Sequence, residues 1–220
     1  MRRPFDPRLY LVTDRGLAAG RSVEEIVASA VRGGITAVQA REKRLPTPDF
    51  VAAALRLKLL LARSGAPLII NDRIDVALAA GAAGVHLGQS DASPSEARRL
   101  LGPEAIIGLS VETMDQVRAA EGENIDYLGV SPIFATPTKT DAGPGWGIEG
   151  LRRLRAATRL PLVGIGGISA ANAAAVLEAG ADGIAVVSAI MSAPDPETAA
   201  RELRVIVDLR RRSAGRSEGS

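Results

Sequence analysis

Cysteine is absent from the 220 residues, and histidine occurs once. The first absence excludes disulfides, thiolate nucleophiles and thiolate-bound zinc, and fits a reducing compartment. The second excludes a metal site built on several imidazoles. Aromatic residues make up 3% of the chain, so the core must be aliphatic and closely layered rather than built on large rings. No apolar run is long enough to span a membrane, and the opening "MRRPFDPRLYLVTDRG" lacks the apolar core of a signal peptide. Charge of one sign is also scarce. Basic residues number 27 and acidic residues 25, and much of the small basic excess sits in "MRR" and "RRRSAGR" at the two ends. A basic patch interleaved with aromatics, expected of a nucleic-acid binder, is missing. These absences predict a soluble, cytoplasmic protein with neither nucleic acid nor membrane as partner. They leave its oligomeric state open.

What the chain has instead is repetition. Short runs of Val, Ile and Leu recur, each followed by a polar or Gly-bearing turn and an Ala-rich stretch of helical period. Strands are predicted at Leu9 to Thr13, Ala37 to Arg41, Pro67 to Asn71, Gly84 to Leu87, Ile106 to Ser110, Tyr127 to Val130, Pro161 to Ile165 and Gly183 to Val187. Helices are predicted near Val23 to Arg32, Pro48 to Ser64, Ile74 to Ala80, Pro94 to Leu101, Met114 to Glu121, Ile148 to Ala157, Ala171 to Ala179 and Glu197 to Arg210. Ser22 and Ser93 stand as N-caps, and Gly33, Gly81 and Gly180 as helix stops. Eight alternating units favour an α/β fold of the (β/α)8 TIM-barrel type, a single domain, over a doubly wound open sheet. The domain is expected over residues 9–210, after an N-terminal extension of residues 1–8. Residues 211–220 read as a disordered basic tail.

In such a barrel the site lies at the C-terminal ends of the strands, and polar residues gather there. Gln39, Arg41 and Lys43 alternate at period two, so in extended chain they point one way and offer an amide and two cations to one anion. Asp72 and Asp91 follow neighbouring strands and could share a hard cation, although Asp72 could equally cap the helix after it. Asn71 suits the edge of a heterocycle. "GIGGIS" after strand 7 and Ser188 after strand 8 offer backbone N–H groups and a hydroxyl to a phosphate. His86 lies inside "GVHLG" and reads as a satisfied barrel-lining side chain, while Tyr10 and Trp146 read as packing residues. The long loop "SPIFATPTKTDAGPGWG" adds Thr136, Thr138 and Lys139 between the two anion sites.

The ordered motifs "YLVTD", "VQAREK", "IINDRIDVALAAGAAGVHLGQSD", "IIGLS", "YLGVSPIFATPTK", "LVGIGGI" and "ADGIAVVSAI" resemble the thiamine-phosphate synthase family from Leu9 to Ile190. The resemblance implies a transferase of thiamine biosynthesis. Such an enzyme joins 4-amino-2-methyl-5-(diphosphooxymethyl)pyrimidine to 4-methyl-5-(2-phosphooxyethyl)thiazole and releases pyrophosphate. It further implies that Gln39, Ala40, Arg41, Glu42, Lys43, Asn71, Ser110 and Lys139 bind the pyrimidine diphosphate. Arg41, Lys43, Ser110 and Lys139 are then the catalytic contacts, and Asp72 and Asp91 hold Mg2+. Thr136, Pro137, Thr138, Gly167, Val187 and Ser188 fall to the thiazole phosphate. Glu112 departs from the pattern, standing where many relatives place His. A thiazole tautomerase of the same fold is the nearest rival, and a non-catalytic relative that binds thiazole phosphate is another. The tautomerase would use a His after strand 5, where this chain has "SVETM".

Overall fold

The computed structural model describes residues 5–136 and 145–217. Eight parallel strands close into one ring in chain order, with the last paired back to the first. They are β1 (Leu9–Val12), β2 (Ala37–Ala40), β3 (Leu68–Asn71), β4 (Gly84–Leu87), β5 (Ile106–Val111), β6 (Tyr127–Val130), β7 (Leu162–Ile165) and β8 (Gly183–Val186). The helices between and after them are α1 (Val23–Gly33), α2 (Thr47–Leu61), α3 (Ile74–Ala80), α4 (Pro94–Leu101), α5 (Met114–Ala120), α6 (Gly147–Ala157), α7 (Ala173–Glu178), α8 (Ser188–Met191) and α9 (Pro196–Ser217). The (β/α)8 barrel expected from the sequence is the fold.

The strands are apolar on both sides because each side is covered. Outward residues such as Leu9, Leu11, Val38, Ile70, Val85 and Leu128 meet the helices in the larger core. Each such fully buried aliphatic side chain contributes about 1.5–3 kcal/mol. Inward residues Tyr10, Ala37, Ile69, Ile106, Tyr127, Val163 and Ala185 fill the barrel as a second, smaller core. Phe5 enters that core ahead of β1, its ring stacked on Tyr127 at 4.7 Å and edge-on to Tyr10 at 5.9 Å. Residues 5–8 therefore plug the end of the barrel where the strands begin.

Local chemistry explains the helix ends. Ser22 accepts from the Glu25 N–H while Glu25 returns a bond to the Ser22 N–H, closing a capping box on α1. The helix stop, however, is Gly34 rather than Gly33: Gly34 takes the left-handed conformation at φ 101°. Gly33 serves close packing, since a Cβ there would lie 2.4 Å from the Glu197 carbonyl oxygen of α9. Arg32 to Glu197 (2.7 Å) and Arg204 to the Gly34 carbonyl (2.8 Å) tie the last helix to the first, and Arg8 to Asp208 (2.8 Å) ties it to the residue before β1. α9 continues to Ser217, so the stretch 211–220, read from sequence as a tail, begins inside it. The apolar period ends near residue 209, but arginine and alanine are strong helix formers and prolong the helix.

Candidate active site

The strands end around a cavity of about 410 Å3 at the C-terminal mouth of the barrel. One wall comes from the ends of β2, β3 and β4. Gln39 is the inward residue of β2 and is 4% exposed. Arg41, two residues on, donates to Asp14 (3.2 Å), and its backbone N–H donates to the Thr13 hydroxyl (3.0 Å). Lys43 donates to Asp72 at 2.7 Å. Ala40 points the other way, into the core behind the sheet, and Glu42 pairs with Arg15 at 2.9 Å. Of the "QAREK" side chains, Gln39, Arg41 and Lys43 line the cavity.

Asp72 does not cap the following helix. The residue at the N-cap of α3 is Arg73, which makes no side-chain cap bond. Asp72 instead sits in the left-handed region at φ 62°, sparsely populated by residues with a Cβ. Its N–H donates to the His86 carbonyl (2.8 Å). This turns its carboxylate toward Lys43 and Asp91. Asp91 accepts from the Gly88 N–H at 2.7 Å. Burial raises its pKa above the ordinary value; the Gly88 hydrogen bond opposes this, and the neighbouring Asp72 carboxylate adds to it. Two carboxylates drawn together in this way are the residues that could hold a cation.

The opposite wall consists largely of backbone. After β7 the chain passes through Gly166 (φ 102°) and Gly167 (φ 64°). Side chains are excluded there on conformational grounds, and a Cβ on Gly167 would also meet the Phe134 Cβ at 2.8 Å. After β8, Val187 precedes the single turn of α8, which begins at Ser188. The first-turn N–H groups of a helix have no intrahelical partners. Gly166, Gly167, Val187 and Ser188 all line the cavity, at the place where barrels commonly bind phosphate through a short extra helix. Thr136 also lines it. Pro137, Thr138 and Lys139 lie outside the described residues.

Across the cavity floor runs a chain of polar side chains from five strands. Gln39 Nε2 donates to Tyr10 Oη (3.2 Å), which is hydrogen-bonded to Tyr127 Oη (3.1 Å). Tyr127 Oη meets His86 Nδ1 (2.9 Å), and His86 Nε2 meets Ser110 Oγ (2.8 Å). The reading of His86 as a satisfied barrel-lining residue agrees with this. Tyr127 and Tyr10 were not legible as part of the site, although inward parity along their strands places both beneath it. Gln89 and Gln116 at the rim were also missed, and Glu112, singled out as a departure from the family pattern, lies beside them. Asn71, the last residue of β3, completes the lining with Ser110.

The comparisons with known proteins agree with the geometry. A profile described as thiamine monophosphate synthase matches residues 9–190. A thiamine-phosphate synthase from Albidiferax ferrireducens is 63% identical over 201 residues, 91% of this chain and 92% of that one. Another from Azorhizobium caulinodans is 53% identical over 212 residues, covering 96% of this chain and all of its own length (100%). Among solved structures, thiamine phosphate pyrophosphorylase from Pyrococcus furiosus superposes with a TM-score of 0.86 at 40% identity, over 94% of this chain and 98% of that one. With a closed eight-stranded barrel, a charged wall and an amide wall facing one cavity, and relatives alike over nearly their full lengths, this chain belongs to the thiamine-phosphate synthase family.

Proposed function

We propose that the two walls bind the two substrates of a thiamine-phosphate synthase, the pyrimidine diphosphate on the β2–β4 side and the thiazole phosphate on the β7–β8 side. The observation that carries this reading is the opposition of Arg41, Lys43, Asp72 and Asp91 to Gly166, Gly167, Val187 and Ser188 across one cavity. Each wall suits a phosphate, and the space between suits two small heterocycles.

Asp72 and Asp91 fit Mg2+. The ion typically takes one or two carboxylates and fills its remaining positions with water and phosphate oxygens. Burial, with the neighbouring Asp72 carboxylate adding to it, raises the Asp91 pKa, and a divalent cation would favour the ionised pair. When bound, Mg2+ neutralises negative charge on the diphosphate and so favours its departure.

The remaining work falls to the chain itself. Gln39 and Asn71 orient the pyrimidine, and Ser110 contacts the same substrate. Arg41 and Lys43, joined by Lys139, hold the diphosphate as the bond from its oxygen to the methylene carbon lengthens. Electron release from the aminopyrimidine ring supports the positive charge left on that carbon. The thiazole nitrogen, held by its phosphate against Gly167, Val187, Ser188 and Thr136 to Thr138, supplies the electron pair for the new C–N bond. This dissociative substitution needs no protein nucleophile, in keeping with a chain that lacks cysteine.

The test is pyrophosphate release measured with both substrates and Mg2+, with each substrate alone, and with both plus chelator. Release and thiamine phosphate only in the complete mixture support the reading. Tight thiazole phosphate binding without turnover would replace it with that of a non-catalytic relative.

A further inference from the structure

The chain from Gln39 to Ser110 has a direction. The Gln39 amide nitrogen can only donate, and it does so to Tyr10 Oη. Among the described residues the other partner of that hydroxyl is Tyr127 Oη, so the Tyr10 proton lies between the two oxygens. Tyr127, having accepted, passes its own proton to His86 Nδ1. A neutral imidazole that accepts at Nδ1 carries its proton at Nε2, and that proton goes to Ser110 Oγ. The Ser110 hydroxyl proton is thereby left over for the cavity.

We propose that Tyr10, Tyr127 and His86 are positioning residues that fix this direction, so that Ser110 presents a hydrogen-bond donor to the pyrimidine diphosphate. What Ser110 touches rests on the synthase reading; the direction of the chain does not. With the Gln39 amide so placed, the reverse order strands the Tyr10 proton in the barrel interior. A buried hydroxyl left unsatisfied is strongly disfavoured. Both phenols keep their protons, since burial raises the pKa of each.

The surrounding strands are shaped to hold these rings. A Cβ on Gly108 of β5 would lie 2.2 Å from Tyr127 Cζ and 2.5 Å from His86 Nδ1. One on Gly129 of β6 would lie 2.7 Å from His86 Cε1. His86 stacks on Tyr127 at 5.4 Å, and Phe5 closes the other side. The array is thus packed as well as bonded, and Ser110 inherits its position from four strands besides its own.

His86 being the only histidine, 15N-histidine labelling reports a single imidazole. The expected spectrum of the full chain shows the proton on Nε2 and a bare, hydrogen-bonded Nδ1. In Tyr127→Phe, which keeps the ring, Nδ1 loses its donor and the tautomer preference relaxes. Turnover should fall about 10- to 100-fold with KM for both substrates within about twofold, as expected for a displaced contact group. In a Ser110→Ala background Tyr127→Phe should change turnover no further. Tyr10→Phe, one link more remote, should give a smaller loss.

A proton on Nδ1 in the wild type would overturn the proposal, because the Gln39 amide is then reversed and Ser110 becomes an acceptor. Additive losses from Ser110→Ala and Tyr127→Phe would also overturn it. A wild-type protein that forms no thiamine phosphate while showing the expected tautomer would instead sink the synthase reading and leave the direction standing.

Discussion

Lys43 Nζ lies 2.7 Å from Asp72 Oδ2, joining the end of β2 to the end of β3 at the mouth of the cavity. The lysine side chain is 55% exposed, so the pair contributes little to folding and holds a cation where the proposed diphosphate would bind. Lys43→Met should lower kcat/KM for the pyrimidine diphosphate about 100-fold. The melting midpoint should stay nearly unchanged. Steady-state kinetics beside a thermal melt check this, and full activity would remove Lys43 from the diphosphate site.

Asp91→Asn keeps an oxygen for the Gly88 N–H and removes one of two crowded carboxylates. Mg2+ should raise the melting midpoint of the wild type but not of the variant. Without metal the variant should melt at or above the wild-type temperature, because its like-charge repulsion is gone. Turnover should fall by about 100-fold or more. An undiminished Mg2+ shift would show that Asp91 holds no ion.

At Gly167 both conformation and space exclude a side chain. Gly167→Ala should cost about 1–2 kcal/mol from the left-handed backbone alone, with more from the contact with Phe134. Its kinetic signature should be a raised KM for thiazole phosphate, with KM for the pyrimidine diphosphate unchanged. Equal rises in both would mean that the β7 loop supports the whole mouth rather than one wall.

Asp6 gives a pH signature at the opposite end of the barrel. Burial opposes its ionisation, but hydrogen bonds from the Arg8 side chain and backbone outweigh this and lower its pKa below 3.8. The folded state therefore releases this proton more readily than the unfolded chain. The resulting stability is fully present above the ordinary aspartate range and is lost as pH falls through the lowered value. Asp6→Asn should destabilise by at most about 1 kcal/mol at neutral pH, given its partial exposure. The gap from wild type should close as pH falls below the ordinary aspartate range. A gap that persists in acid would point to packing rather than charge. Denaturant melts at neutral and acid pH distinguish the two.

The architecture was legible because each strand is short, apolar on both faces and bounded by turn residues, so its period is unmistakable. The "QAREK" triplet was legible through its alternation, which survives in the structure as three side chains on one wall. Residues whose roles depend on distant partners were not. Asp72 could be read equally as a helix cap, and only its left-handed backbone, pinned by the His86 carbonyl, turns it toward Lys43. Tyr127 looked like core because it is core; its hydroxyl gains a role only where β1, β4 and β6 meet. Ser188 was placed after strand 8, but the helix it opens was not foreseen, since four residues are too few for a helical period to register.

Closure of the ring carries one more consequence. The charged wall ends at Asp91 and the amide wall begins at Gly166, far apart along the chain, yet β8 and β2 are separated around the ring by β1 alone. If each wall takes one reactant as proposed, the two become neighbours when the last strand docks beside the first. An open or partly wound sheet would then hold one reactant's pocket at most, product formation would report that the circle is complete, and the reaction would be its own assay of folding.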